Sequence, residues 1–264
     1  MSEHVFKKKF GQNFISDRNL LQAIVSDSGV SAGDNVLEIG AGAGALTEVL
    51  DKVAGKVVSF EIDKDLQPHL LGLGLKRTQF VFGDVMKVPT QDIDRMFSGQ
   101  YHIVANLPYY ITTPLLFKFL GQSSNVATIT VMVQKEVAQR MVAQKGEQDY
   151  GLLSVMVAFY GSACITRIVG RKMFFPQPKV DSALVKIIVD RNKFSGIDKA
   201  DFYSFVQGCF SMRRKTLKNN LSHALGINVK TLSEMLDEKT LASRAEEFSL
   251  DELIEIYKKI NVNR

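Results

Sequence analysis

The chain has 264 residues, 45% apolar and 23% charged, with 33 basic against 28 acidic residues and a net charge of +5. That is ordinary globular composition, large enough to bury a core, and it excludes disordered, collagenous and mini-protein classes. No apolar run approaches the roughly 20 residues of a membrane helix, no apolar segment follows the basic start Lys7-Lys8-Lys9, and two separated cysteines (Cys164, Cys209) and four scattered histidines suggest neither disulfides nor a metal site, so a cytoplasmic, membrane-free monomer is expected.

Runs rich in β-branched and apolar residues at 35–39, 56–60, 79–82, 102–105, 127–133, 163–169 and 183–189 read as seven strands. Segments of helical length separate the earlier ones. Near-continuous apolar strands with helical crossovers predict an α/β fold, with a mostly parallel sheet covered on both faces. The last two runs are joined by a Gly/Pro-rich connection, which predicts an antiparallel edge. After Asp190 the pattern changes. Residues 191–198 read as a connection, and no strand run follows. Leu217, Leu221 and Leu225 mark one helical face, and Leu250, Leu253, Ile254 and Tyr257 mark another, behind Ser249 as an N-cap. The expected organisation is an α/β domain over 1–190 and a small all-helical domain over 191–264.

The first strand runs directly into Glu38-Ile39-Gly40-Ala41-Gly42-Ala43-Gly44-Ala45, and a helix-like segment follows. Glycines there let the backbone turn and approach a ligand closely, and the helix start offers free N–H groups. Glu61 ends the second strand, where a carboxylate can accept both hydroxyls of a ribose. Three readings stand: a tight structural turn, a dinucleotide site serving an NAD-dependent oxidoreductase, or an S-adenosylmethionine site. The Gly40, Gly42, Gly44 spacing favours the last. So does Glu38, an anion that suits an ammonium group better than a pyrophosphate. Asp84, at the end of the third strand, reads either as the acceptor of an adenine amino group or as a helix N-cap.

Asn106-Leu107-Pro108-Tyr109 ends the fourth strand. An aryl amine is a poor nucleophile because its lone pair is delocalised into the ring. Methylating it calls for aim rather than a strong base. An Asn side-chain oxygen and a neighbouring backbone carbonyl can accept the two N–H hydrogens, Pro108 stiffens the turn, and Tyr109 can stack on the base. Phe174-Phe175-Pro176-Gln177-Pro178 supplies an aromatic on a proline-fixed loop that could close over the other face of an extruded base. Three acid-poor basic groups, Lys7 to Lys9, Arg167/Arg171/Lys172/Lys179 and Arg213/Arg214/Lys215 with Lys218, point to a polyanion partner.

Six stretches in order resemble the ribosomal RNA adenine N6,N6-dimethyltransferases of the bacterial small-subunit type. They are Lys9-Phe10-Gly11-Gln12-Asn13-Phe14, the loop from Glu38 to Gly44, Asn106-Leu107-Pro108-Tyr109, Gln134-Lys135-Glu136-Val137-Ala138, the run from Phe174 to Ser182, and Arg213-Arg214-Lys215-Thr216-Leu217. The resemblance implies a class I S-adenosylmethionine-dependent methyltransferase fold (Rossmann-like, mostly parallel, seven-stranded) with a small helical C-terminal domain. It implies S-adenosylmethionine as donor and, as substrate, two adjacent adenosines in the 3′-terminal hairpin of 16S rRNA in an assembling small subunit. Carried over by position, Asn13, Ile15, Gly40 and Gly42 line the donor pocket, Glu61 holds the ribose and Asp84 the adenine. Asn106 orients the target amine, and Tyr109 and Phe174 flank the base, with Phe175 as the alternative to Phe174. Ile15 stands where Leu is usual, and Tyr110 where Asn is frequent. A non-catalytic assembly factor with the same fold is the remaining alternative.

Overall fold

The structure is a computed structural model and describes residues 13–262; the lysine run at 7–9 and the first motif up to Gln12 lie outside the described residues. Within the chain two compact units separate, one reaching to Ala138 and resuming over Ser162–Asp190, the other comprising Gln139–Gly161 and the residues from Arg191 on.

In the first unit a two-residue strand, β1 (Phe14–Ile15), precedes α1 (Arg18–Ser28). There follow β2 (Asn35–Ile39), α2 (Ala45–Val53), β3 (Lys56–Glu61), α3 (Gln67–Gly72), β4 (Thr78–Phe82), α4 (Thr90–Asp94), β5 (Tyr101–Asn106), α5 (Thr112–Gln122) and β6 (Val126–Gln134). The chain leaves this unit within α6 (Lys135–Val142), passes through α7 (Leu152–Tyr160) and returns as β7 (Gly161–Val169), β8 (Phe174–Phe175) and β9 (Ser182–Val189). Seven strands form one sheet in the order β4-β3-β2-β5-β6-β9-β7. From β4 to β6 each neighbouring pair is parallel, and β9 runs antiparallel to β6. All seven predicted strands are present. Val36, Leu37, Val57, Val58, Ile103 and Val104 are fully buried, which is why the central strands read as continuous apolar runs rather than as alternations.

The chain order reverses at β2. Strands β3 and β4 lie to one side and β5 and β6 to the other, so the loops leaving β2 and β5 diverge and open a crevice at the carboxyl ends of the strands. A second, two-stranded ribbon pairs Phe14 with Phe175 and Ile15 with Phe174. Sequence reading missed it, because two-residue strands carry no periodicity and their partners are far apart in the chain.

The second unit is helical among its described residues: α7, α8 (Lys199–Cys209), α9 (Leu217–Leu225), α10 (Val229–Met235), α11 (Glu238–Ala242) and α12 (Leu250–Val262). Phe159 of α7 stacks on Phe202 with centroids 4.5 Å apart, and Tyr257 of α12 meets Phe202 edge-on at 5.2 Å. Leu217 and Leu221 are buried as the heptad-like spacing implies, and Ser249 and Glu252 exchange backbone-to-side-chain bonds at the start of α12. The structure differs from the expected boundaries at residues 139–161, which group with the tail. The cause is α7, Leu-Leu-Ser-Val-Met-Val-Ala-Phe-Tyr, apolar on nearly every side and packed against both α8 and α12. No helix among the described residues is long and apolar enough to cross a membrane. Cys164 is an exposed thiol and Cys209 a buried one, and burial keeps the latter's proton on.

Candidate active site

A cavity of about 470 Å³ opens at the crevice, within the size range of small-molecule sites. Its walls include Asn13, Ile15, Gly40, Gly42, Glu61 and Asn106, six of the residues singled out from the sequence. The glycine loop wraps the end of β3. Gly40 and Ala41 donate their N–H groups to the Phe60 carbonyl at 2.8 and 3.2 Å. The Glu61 carboxylate accepts from Gly42 N through one oxygen and from Asp63 N through the other, each at 2.8 Å. Gly42 has φ +56°, and a Cβ there would stand 2.9 Å from the Phe14 ring, so a larger residue is opposed twice over. Glu61 is only 3% exposed, and its burial raises its pKa against the lowering effect of the two N–H donors. Each of its oxygens retains a second lone pair for a hydroxyl in the cavity.

Glu38 is not on that wall. It is fully buried beneath the loop, where one carboxylate oxygen accepts from Thr47 Oγ1 at 2.6 Å and Ser59 Oγ at 2.5 Å. It ties α2 to β3 under the glycines. Burial pushes its pKa up to about 7 despite those two donors. The expectation that Glu38 would face an ammonium group is therefore corrected: its side chain points into the packed layer.

On the opposite wall, Leu107 and Pro108 follow Asn106 into a short 3₁₀ turn, Tyr109–Ile111. Asn106 Nδ2 donates to the Asn13 carbonyl at 2.7 Å, which fixes the amide and leaves Oδ1 to accept. Tyr109 is half-buried beside this wall, its hydroxyl 2.8 Å from Ser182 Oγ. Its pKa is raised by burial. Of the two phenylalanines, Phe174 is 4% exposed and packs in the hydrophobic cluster with Ile15, Leu20 and Val169, whereas Phe175 is 64% exposed. Adjacent residues of a strand face opposite ways, and pairing with β1 turns Phe174 inward. The alternative, Phe175, is thus the ring of this pair presented outward. Asp84 Oδ1 accepts from Met86 N at 2.9 Å and caps the turn Val85–Lys87, one of the two roles its position allows.

The profile described as "Ribosomal RNA adenine dimethylase" matches residues 3–261. The chain is 41% identical to the ribosomal RNA small subunit methyltransferase A of Clostridioides difficile over 97% of its own length and 91% of that protein's, and 40% identical to the Enterococcus faecalis protein of the same name over 98% and 92%. The chain belongs to the ribosomal RNA adenine dimethylase family. It is an S-adenosylmethionine-dependent methyltransferase acting on rRNA adenine, which sets aside both the NAD-dependent oxidoreductase and the non-catalytic assembly factor. A dimethyladenosine transferase from Plasmodium falciparum has a similar structure, with TM-score 0.81, 26% identity, and coverage of 94% of this chain and 98% of that one.

For a member of this family, several wall residues went unnoticed in the sequence. Ile62 lines the cavity directly after Glu61 and gives it an apolar flank, and Arg18, Glu48 and Lys52 place charges along it from α1 and α2. Helix-surface charges have no sequence signature of their own, although the residue after the ribose-type acid could have been found by position. The basic run of the second unit lies in the turn before α9. Asn220, buried, holds that turn by donating to the Cys209 and Met212 carbonyls and accepting from Met212 N. Arg213 is committed within the unit to the Gln148 carbonyl and to Glu246 at 3.6 Å, while Arg214 and Lys215 are exposed. Among the described residues no cluster of His, Cys, Asp and Glu could hold a metal ion.

Proposed function

We propose that the enzyme dimethylates the N6 amines of two adjacent adenosines in the 3′-terminal hairpin of 16S rRNA, on the assembling small ribosomal subunit in the cytoplasm. The observation that carries this reading is that one cavity, lined by a single chain, has the glycine loop with Glu61 on one side and the Asn106–Pro108 turn on the other. A monomer therefore suffices. The small-subunit assignment is supported by relatives named for that subunit at about 40% identity over nearly the whole chain.

The cavity fits the donor. Gly40 brings the loop close to the turn, its Cβ position 3.9 Å from the Asn106 carbonyl oxygen, and Glu61 offers two lone pairs at the end of β3. Gly40, Gly42 and Glu61 hold its nucleoside part, with Ile62 against the adenine and Asn13 and Ile15 closing the side. When bound, S-adenosylmethionine supplies an electrophilic methyl group. Asn106 Oδ1 accepts one hydrogen of the target amine and the Leu107 carbonyl the other, which draws the nitrogen out of conjugation and aims its lone pair. Tyr109 stacks on the base, and Phe175 meets its other face. No general base is required, because protonation is not what keeps an aryl amine unreactive. Arg214, Lys215 and Lys218 add phosphate contacts from the second unit.

The test is incubation with S-adenosylmethionine and small subunits lacking these modifications, followed by mapping of the methylated nucleotides. Dimethylation of two neighbouring adenosines in the 3′-terminal hairpin is expected. Methylation confined to large-subunit RNA would overturn the assignment.

A further inference from the structure

The connection from β7 to β9, residues 170–181, is secured beside the site at its middle and just past its end. Through β8 it pairs with β1, whose Phe14 and Ile15 line the cavity. Ser182, immediately after it, holds the Tyr109 hydroxyl. Its two legs are tied to each other: the Asp181 carboxylate accepts from Arg171 N at 2.9 Å, and Arg171 Nη1 donates to the Lys179 carbonyl at 3.2 Å. The connection is thus a stiffened projection at the edge of the target-base side.

Its outward face is cationic and partly apolar. Of the four positive charges noted in this stretch, Arg167 is neutralised by Asp27 at 3.1 Å. Arg171, Lys172 and Lys179 are exposed, and among the described residues none of the three has an ion-pair partner. Met173 and Val180, each 36% exposed, lie in the same segment. The one acid in the segment, Asp181, has a carboxylate oxygen on the Arg171 backbone.

We propose that Arg171, Lys172 and Lys179 form an RNA-gripping flange that holds backbone phosphates of the nucleotides flanking the target adenosine, with Met173 and Val180 against sugar or base faces. This rests on the reading of rRNA adenine as substrate. The phosphates flanking an adenosine at the Asn106–Tyr109 turn lie near it, and Ser182 holds the end of this segment one hydrogen bond from Tyr109. Spaced cations beside apolar side chains match a nucleic-acid strand, which alternates charge with flat apolar surface.

The experiment compares wild type with the double variant Lys172→Gln/Lys179→Gln, and with Lys64→Gln/Lys76→Gln as an equal loss of charge from exposed positions elsewhere. Binding to small subunits lacking the methyl groups is measured across salt concentrations, alongside cofactor affinity and Tm. Two lost single-strand phosphate contacts should make the log K against log salt slope shallower by about 1.4, at about 0.7 per contact. Cofactor affinity and Tm should be unchanged, and the control should keep the wild-type slope. A benzophenone side chain at position 172 should crosslink to rRNA. An unchanged slope, an equal change in the control, or crosslinking to a ribosomal protein would each overturn the flange while leaving adenine methylation intact. A wild type that methylates no adenine on the subunit would overturn the substrate reading and the flange together.

Discussion

Around the cavity, the glycine loop draws its hydrogen bonds from β3 and the residues just after it, whereas the turn after β5 draws them from segments far away in the chain. Phe60 and Glu61 accept from the loop directly, and the Asp63 N–H orients the Glu61 carboxylate. Asn106 is held by Asn13 and Tyr109 by Ser182, near opposite ends of the first unit. The loop side rests on the neighbouring strand β3. The turn side is assembled only when β1, β5 and β9 have come together. Two walls with separate supports should fail separately.

Asn106→Ala gives the sharpest separation. Loss of the amide proposed to aim the target nitrogen should lower kcat by about 10²- to 10³-fold, while calorimetry shows donor affinity nearly unaltered. Equal loss of both would mean that the two walls are one structural unit. Glu61→Ala is the opposite cut. It removes the acceptor for two backbone N–H groups and the one proposed for the ribose, so the donor Kd should rise by about 10- to 100-fold, with kcat at saturation less affected. An unaltered donor Kd would remove Glu61 from that wall.

Beneath the loop, Glu38 makes stability depend on pH. Its folded pKa, about 7, lies above the ordinary 4.5, so the folded state binds the proton more tightly than the unfolded chain does. The stability this gives is complete below about pH 4.5 and is lost as pH rises through about 7. Urea unfolding followed across that window should show stability falling with pH, and Glu38→Gln should flatten the decline. A wild-type profile that the variant reproduces would exclude Glu38 as its source. The smallest effect is expected for Tyr109→Phe. It keeps the ring and removes only the bond to Ser182, so a loss of roughly 1 kcal/mol or less, a few-fold in kcat/KM, should appear in steady-state assays.

Much of this was legible before any coordinates. The central strands were readable because burial on both faces writes itself as unbroken apolar runs, and the crevice followed from alternation with helices. Gly40, Gly42, Glu61 and Asn106 could be named because each sits at a strand end, and position along a strand is a local property. Residues 139–161 were misplaced because α7 is as apolar as a core strand, and nothing local says which core it joins. Asp84 kept two readings for the same reason: a strand-end carboxylate looks alike whether it faces a ligand or the next backbone N–H.

The order of elements and the chemistry at the strand ends are properties of a few consecutive residues, so the amino-acid sequence determined the sheet, the loop, the turn and the family. Which of Phe174 and Phe175 faces outward was decided by pairing with β1, and the placing of Glu38 under the loop by Thr47 and Ser59. Which cations remain available was decided by Asp27 and Glu246, which neutralise Arg167 and Arg213. Side-chain direction and charge pairing depend on partners distant in the chain, and only the folded molecule brings them within reach.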